Sequence, residues 1–259
     1  MCVRRSNEKW RLLTHFPLYL LLLSAVLLNT GCASRKASKP ESEPNVDPLE
    51  VINRPIFRFN DVTDRYILRP VAKGYQFITP NVVETGVSNF FDNITYPITV
   101  VNGFLQGKFK QGFADTGRFV VNTTIGLLGL FDPATPIGLE RHEEDFGQTF
   151  AKWGIPAGPY IVVPLFGPRT VRSGIGTLAD TQVNPLILYS NTSVRDKLLI
   201  LWAIESRAAL IGPDELVFEA FDPYLFVRDA YLQNRKFLIN DGVMDETDEG
   251  FDDDFDDDF

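Results

Sequence analysis

Apolar positions recur at helical spacing along most of the chain. Leu49, Ile52, Ile56, Phe59 and Tyr66 follow one another at intervals of 3, 4, 3 and 7, which places them on one helical face. Asp47-Pro48-Leu49-Glu50 opens that helix, with Asp47 as cap, Pro48 at the first helical position and Glu50 completing a capping-box-like pattern. Pro55 is a kink point one to two turns in, and Arg69-Pro70 closes or bends the helix. Residues 71–96 predict a further helix, broken near Thr79-Pro80 and Tyr96-Pro97. Phe109, Phe113, Gly117, Val120 and Thr124 form a second stripe, ended by Gly126, Gly129 and Asp132-Pro133. A short helix is predicted at 146–153. A longer one is predicted at 193–212, capped by Ser193, with Val194, Leu198, Leu201, Trp202, Ile204 and Leu210 apolar. Residues 215–221 and 223–239 predict two more.

The pattern changes at residues 154–168. Pro156, Pro159, Pro164 and Pro168 interleave with Gly154, Gly158 and Gly167, so no regular helix fits there and Tyr160–Val163 is at most a short extended piece. Residues 169–183 read as helical again. Beyond residue 31 no apolar run reaches the length of a membrane-crossing helix. The alternating ten-residue segments of a transmembrane barrel are also missing. The expected fold is mainly α, one domain over residues 47–240.

The first 31 residues follow a different logic. Arg4, Arg5, Lys9 and Arg11 precede an apolar run at residues 16–28, then Asn29-Thr30-Gly31-Cys32. This predicts a secretory signal peptide over residues 1–31. Cys32, directly after Gly31, resembles the modified cysteine of a bacterial lipoprotein signal, with Asn29 standing where that pattern prefers Leu. Two or more acyl chains on Cys32 would anchor the chain stably. Ala33 after the cysteine points, by analogy with lipoprotein sorting, to the outer membrane. Residues 32–46 read as a flexible tether.

Charge then divides the remainder. The whole chain carries −9, and removing the net +3 of residues 1–31 leaves −12. Ten acidic residues lie within 245–259, so the rest is about −2. Residues 241–259 read as an acidic, disordered tail. A near-neutral body has no basic face for nucleic acid.

Catalytic chemistry finds little footing. Past residue 31 the chain has one cysteine and one histidine, His142, which excludes an intramolecular disulfide, a cysteine-based zinc site and a multi-histidine metal site. No Gly-x-Ser-x-Gly, dinucleotide fingerprint or P-loop occurs. Glu143, Glu144 and Asp145 read as a solvated acidic loop, and no cofactor is implied. Phenylalanine numbers 21, which suits a core or a surface against acyl chains; the core is the expected use.

Four ordered blocks resemble the MlaA/VacJ family of outer-membrane lipoproteins. The first runs from Asp47-Pro48-Leu49-Glu50 through Asn53-Arg54, Phe57 and Phe59-Asn60 to Arg69-Pro70. The second holds Phe104-Leu105-Gln106-Gly107, Arg118-Phe119 and Asn122-Thr123. The third runs from Glu144-Asp145-Phe146-Gly147-Gln148-Thr149 to Gly167-Pro168 and Arg172. The fourth holds Asp222-Pro223-Tyr224, Arg228, Ala230-Tyr231 and Arg235. The resemblance implies a ring-like domain of amphipathic helices in the periplasmic leaflet of the outer membrane. It implies an amphipathic channel that removes phospholipids from the outer leaflet and passes them toward the inner membrane. Trimeric porins, a periplasmic lipid carrier and an inner-membrane ABC complex are the implied partners.

Within that frame Asn53, Arg54, Phe57 and Asn60 are candidates for shaping or gating the passage. The alternative for the asparagines is a cap or backbone bond, and for Phe57 the core. Arg118, Arg172 and Arg228 are candidates for meeting phosphate; pairing with a buried carboxylate such as Asp115 is the competing use. The alternative function is an envelope scaffold lipoprotein that binds porins and moves no lipid.

Overall fold

The computed structural model describes residues 47–243. The predicted leader, Cys32, the tether and all but the first residues of the acidic tail lie outside them. Helix α1 (Glu50–Thr63) passes through one π turn (Asp64–Leu68) into α2 (Arg69–Ile78). Pro70 lacks an N–H, and its ring crowds the carbonyl four residues back. Widening the turn just before it carries the helix past the proline. Arg69-Pro70 therefore does not close the helix. Thr79, extended at φ −103° and ψ 118°, does end α2, as expected of a residue before proline.

Helices α3 (Asn81–Thr95), α4 (Pro97–Leu105) and α5 (Phe109–Thr124) follow. The loop after α5 holds Leu127, Leu128 and Gly129 at positive φ. Helix α6 (Phe146–Lys152) is capped by Asp145, whose Oδ1 accepts from the Gln148 amide at 2.7 Å. The Pro/Gly stretch is ordered as a hairpin of β1 (Tyr160–Val163) and β2 (Gly167–Thr170), antiparallel, with Tyr160 opposite Thr170 and Val163 opposite Gly167.

Residues 169–170 thus belong to a strand, not a helix. Helix α7 (Val171–Asp180) starts only after Thr170, which forms a capping box with Ser173. A one-turn helix α8 (Pro185–Leu188) leads to α9 (Thr192–Ala209). Its cap is Asn191, accepting from the Val194 amide, rather than Ser193. The asparagine comes first and is as good a cap. Helices α10 (Asp214–Glu219) and α11 (Pro223–Ile239) complete the body.

Helix α6 packs on α7, α4 on α5 and α2 on α9, while the hairpin lies against α1, α7 and α11. The apolar core at the hairpin is small: Tyr160, Val162 and Tyr224, with Ile56, Phe57, Leu225, Tyr231 and Leu232 packed around it. Phe57 meets the Tyr224 ring edge-on at 5.6 Å between centroids.

Burial is inverted relative to an ordinary soluble domain. Among the described residues nine hydrophobic side chains are buried, against fifteen polar or charged ones. Forty large hydrophobic side chains are exposed, ten of them phenylalanines, including Phe59, Phe77, Phe113 and Phe166. The expectation that phenylalanine builds the core therefore fails for ten of the 17 phenylalanines among the described residues. Scattered exposed apolar residues are ordinary, but a surface made largely of them marks contact with a membrane or partner. No helix among the described residues is long and apolar enough to cross a membrane.

Candidate functional site

The polar interior opens into two adjoining cavities beside α3. One, of about 130 Å³, is lined by Asn89, Asp92 and Asn93 of α3, by Tyr96 at its end, by Arg118 and Asn122 of α5, and by Asp132, Thr135 and Arg141. The other, of about 320 Å³, takes in Thr99, His142, Glu143, Glu144, Gln148 and Asp180. Asp92, Tyr96 and Arg141 line both. Across α3 lies a third cavity of about 350 Å³, lined by Phe90, Ile94, Phe119, Leu186 and Leu198. Asn89 and Asn93 are one turn apart on α3, and so are Phe90 and Ile94; the helix thus separates a polar space from an apolar one.

Hydrogen bonds fix the polar walls. Arg118, 6 % exposed, donates to Asp132 at 2.6 Å, to the Leu139 carbonyl at 2.6 Å and to Thr135 at 2.9 Å. Asn122 ties Asp132 to the Ala134 amide. Three partners around it hold the Asp132 carboxylate down at about 2, although burial opposes this. Asp115, fully buried, accepts from the Tyr96 hydroxyl at 2.8 Å and meets His142 Nδ1 at 2.8 Å. Glu144 is held by Lys108 at 2.6 Å, and Asp145 by both Arg235 guanidinium nitrogens at 2.5 and 3.0 Å. These two are built into the wall, so the solvated-loop expectation does not describe them. Burial pushes Asp180 up to about 6 and also raises Asp92.

The candidates of the first block sit away from these cavities, at the hairpin. Asn53, 2 % exposed, donates to Asp47 at 2.9 Å and to the Tyr160 carbonyl at 3.0 Å, and accepts from the Val162 amide at 2.9 Å. Asn60, two turns on, donates to the Val163 carbonyl at 3.0 Å and accepts from the Leu165 amide at 2.8 Å. Each carboxamide presents the donor and acceptor of a peptide group, so the pair supplies strand β1 with a substitute neighbour. Asp47 also accepts from the Tyr224 hydroxyl. Arg54 pairs with Glu50 at 2.5 Å and Asp222 at 2.9 Å and lies over the Tyr224 ring.

The arginines separate as well. Arg118 lines the polar cavity, paired with Asp132 rather than Asp115. Arg172 donates to the Ile155 carbonyl at 2.8 Å, and Arg228 pairs with the adjacent Asp229 at 2.8 Å. Sequence reasoning missed Asp92, Tyr96, Arg141 and Asp180 as cavity residues. The signal for the first two was the run Asn89-x-x-Asp92-Asn93-x-x-Tyr96, at helical spacing along α3 and its C-terminal end.

Comparison with known proteins bears on this geometry. The family model described as MlaA lipoprotein matches residues 45–238. A Haemophilus influenzae protein, "Intermembrane phospholipid transport system lipoprotein MlaA", is 35 % identical over 237 residues, spanning 90 % of this chain and 94 % of the relative. The Escherichia coli K12 protein of the same description is 38 % identical over 232 residues, spanning 86 % and 91 %. A solved structure, from work on the structural basis for maintenance of bacterial outer membrane lipid asymmetry, superposes with a TM-score of 0.67 at 38 % identity. It covers 75 % of this chain and 99 % of its own.

Proposed function

Because the chain belongs to the MlaA lipoprotein family, we propose that it maintains outer-membrane lipid asymmetry by moving phospholipids. It takes them from the outer leaflet through an amphipathic passage and passes them to a periplasmic carrier. A trimeric porin beside it and an inner-membrane ABC complex beyond the carrier complete the assembly. Acylation of Cys32 would hold the body at the periplasmic leaflet. The inverted burial carries this reading: an apolar exterior of short helices suits immersion in one leaflet. A polar interior beside an apolar cavity suits a ligand with a charged head and hydrocarbon tails. Backbone outside helices is tolerated at membrane depth only against protein or a wet cavity, and the asparagine-held hairpin meets that demand. Passage needs no covalent step, so the role is that of a conduit and not of an enzyme.

Photoreactive phospholipids test this. With the mature protein in vesicles, a probe on the head group is expected to label Asn89, Arg141 or Glu143. A probe at the acyl terminus is expected to label Phe77, Phe113 or Phe166. Head-group labelling confined to the outer surface would favour a scaffold that moves no lipid.

A further inference from the structure

Resting on that transport reading, we propose that the larger polar cavity prefers phospholipids bearing a primary ammonium head group over anionic ones. Its wall is acidic. Asp92, Glu143, Glu144, Asp145 and Asp180 face it against Arg141 and His142. Two further cations act from behind, Lys108 on Glu144 and Arg235 on Asp145. His142 aside, five carboxylates against three cations leave two negative charges in excess. Arg141 is itself shared between Asp92 at 2.5 Å and Glu143 at 2.9 Å.

A second observation points to a donor ligand. Gln148 lines the same cavity and is 2 % exposed. Its Nε2 donates to the Glu143 carbonyl at 2.9 Å, which fixes the orientation of the amide. Its Oε1 then has no hydrogen-bond partner among the described residues. Orphan buried polar atoms are rare enough to need a reason, and this one is an acceptor. A phosphodiester bearing no amine brings acceptors and negative charge, and does not match it. An ammonium brings three donors and a positive charge, with Arg141 at the cavity junction left to face the phosphate. A divalent cation is a poorer occupant, because no group of carboxylates among the described residues is arranged to hold one.

The test offers purified mature protein vesicles of equal phosphatidylethanolamine and phosphatidylglycerol, and identifies bound lipid by mass spectrometry. The expected result is about tenfold enrichment of the amino lipid, the scale of one charge-assisted hydrogen bond. The exposed change Glu143→Gln is expected to narrow it by about two- to fivefold, with Asp92→Asn as a second variant. Free phosphoethanolamine at equal concentration is expected to leave the bound lipid in place; displacement would overturn a lipid as the source of the amine. Equal binding of the two lipids, or an enrichment that both variants leave unchanged, overturns the preference and leaves transport standing. Binding of neither lipid overturns the transport reading itself.

Discussion

Asn53→Leu is expected to lower stability by about 3–5 kcal/mol. The substitution fits the space but removes a donor and an acceptor. Asp47, 2 % exposed, loses a partner, and the Tyr160 carbonyl and Val162 amide are left buried without the bonds they make now. Leaving a buried polar group unpaired costs about 1–3 kcal/mol, more than the bond itself contributes. At roughly 2–4 °C per kcal/mol for a body of this size, the midpoint of thermal unfolding should fall by about 10 °C. Asn60→Leu is the internal comparison. It breaks the same kind of contact where Leu165 is exposed, so water replaces part of the loss and about 1 kcal/mol is expected. Equal effects at the two positions would show that the hairpin is not held by burial of the Asn53 amide.

Gly176→Ala is the second large effect, by an opposite mechanism. Helices α6 and α7 cross backbone to backbone at Gly147 and Gly176. A methyl at 176 would lie 2.3 Å from the Gly147 amide nitrogen and 2.7 Å from its Cα. No flexible side chain can yield there, so the helices must separate. Overpacking of this kind costs about 1–3 kcal/mol, and the upper end is expected where backbone is the obstacle. Separation also disturbs the Asp145 cap and its Arg235 pair, because both sit at the first turn of α6, where Gly147 lies. Gly174→Ala, two residues earlier on the other side of α7 with open space at its Cβ, should be close to neutral or slightly stabilising. Denaturant unfolding of the three proteins in one detergent separates crowding from a general intolerance of change in α7.

These two sites show what the sequence conveys and what it withholds. Helix existence was legible where an apolar stripe and a terminal signal agreed, as for α5 with Gly126 and Gly129 beyond its end. At α1 the helix formed but the expected capping box did not, because the helix starts at Glu50 after Leu49, while Asp47 accepts from Asn53 and Tyr224 and Glu50 pairs with Arg54. The stripes did not say what they face. Period identifies a helix face, and the same face suits a core or a lipid phase; Phe113 and Val120 turned out exposed. The break at residues 154–168 was legible from proline, but the hairpin was not. Its outer strand neighbour is two side chains more than a hundred residues away, and no local pattern encodes that partner. For Asn53 and Asn60 the backbone-bond alternative is the one the structure shows, but the strand that supplies the partners lay beyond reach. The polar cavity was the least visible part. Its carboxylates come from α3, the loop before α6 and the end of α7, and only the fold brings them together. The acidic run at 143–145 looked like a solvated loop because charge alone does not reveal that Lys108 and Arg235 cover it.

Clearance of outer-leaflet phospholipid by a body anchored through Cys32 is the proposed role. The most direct measurement is outer-leaflet phospholipid in cells lacking the chain, read by acylation of lipid A, with wild type and Cys32→Ala restored side by side. Loss of the chain is expected to raise outer-leaflet phospholipid, wild type to return it to normal, and the unanchored variant to fail to do so. Unchanged outer-leaflet phospholipid in cells without the chain would contradict it.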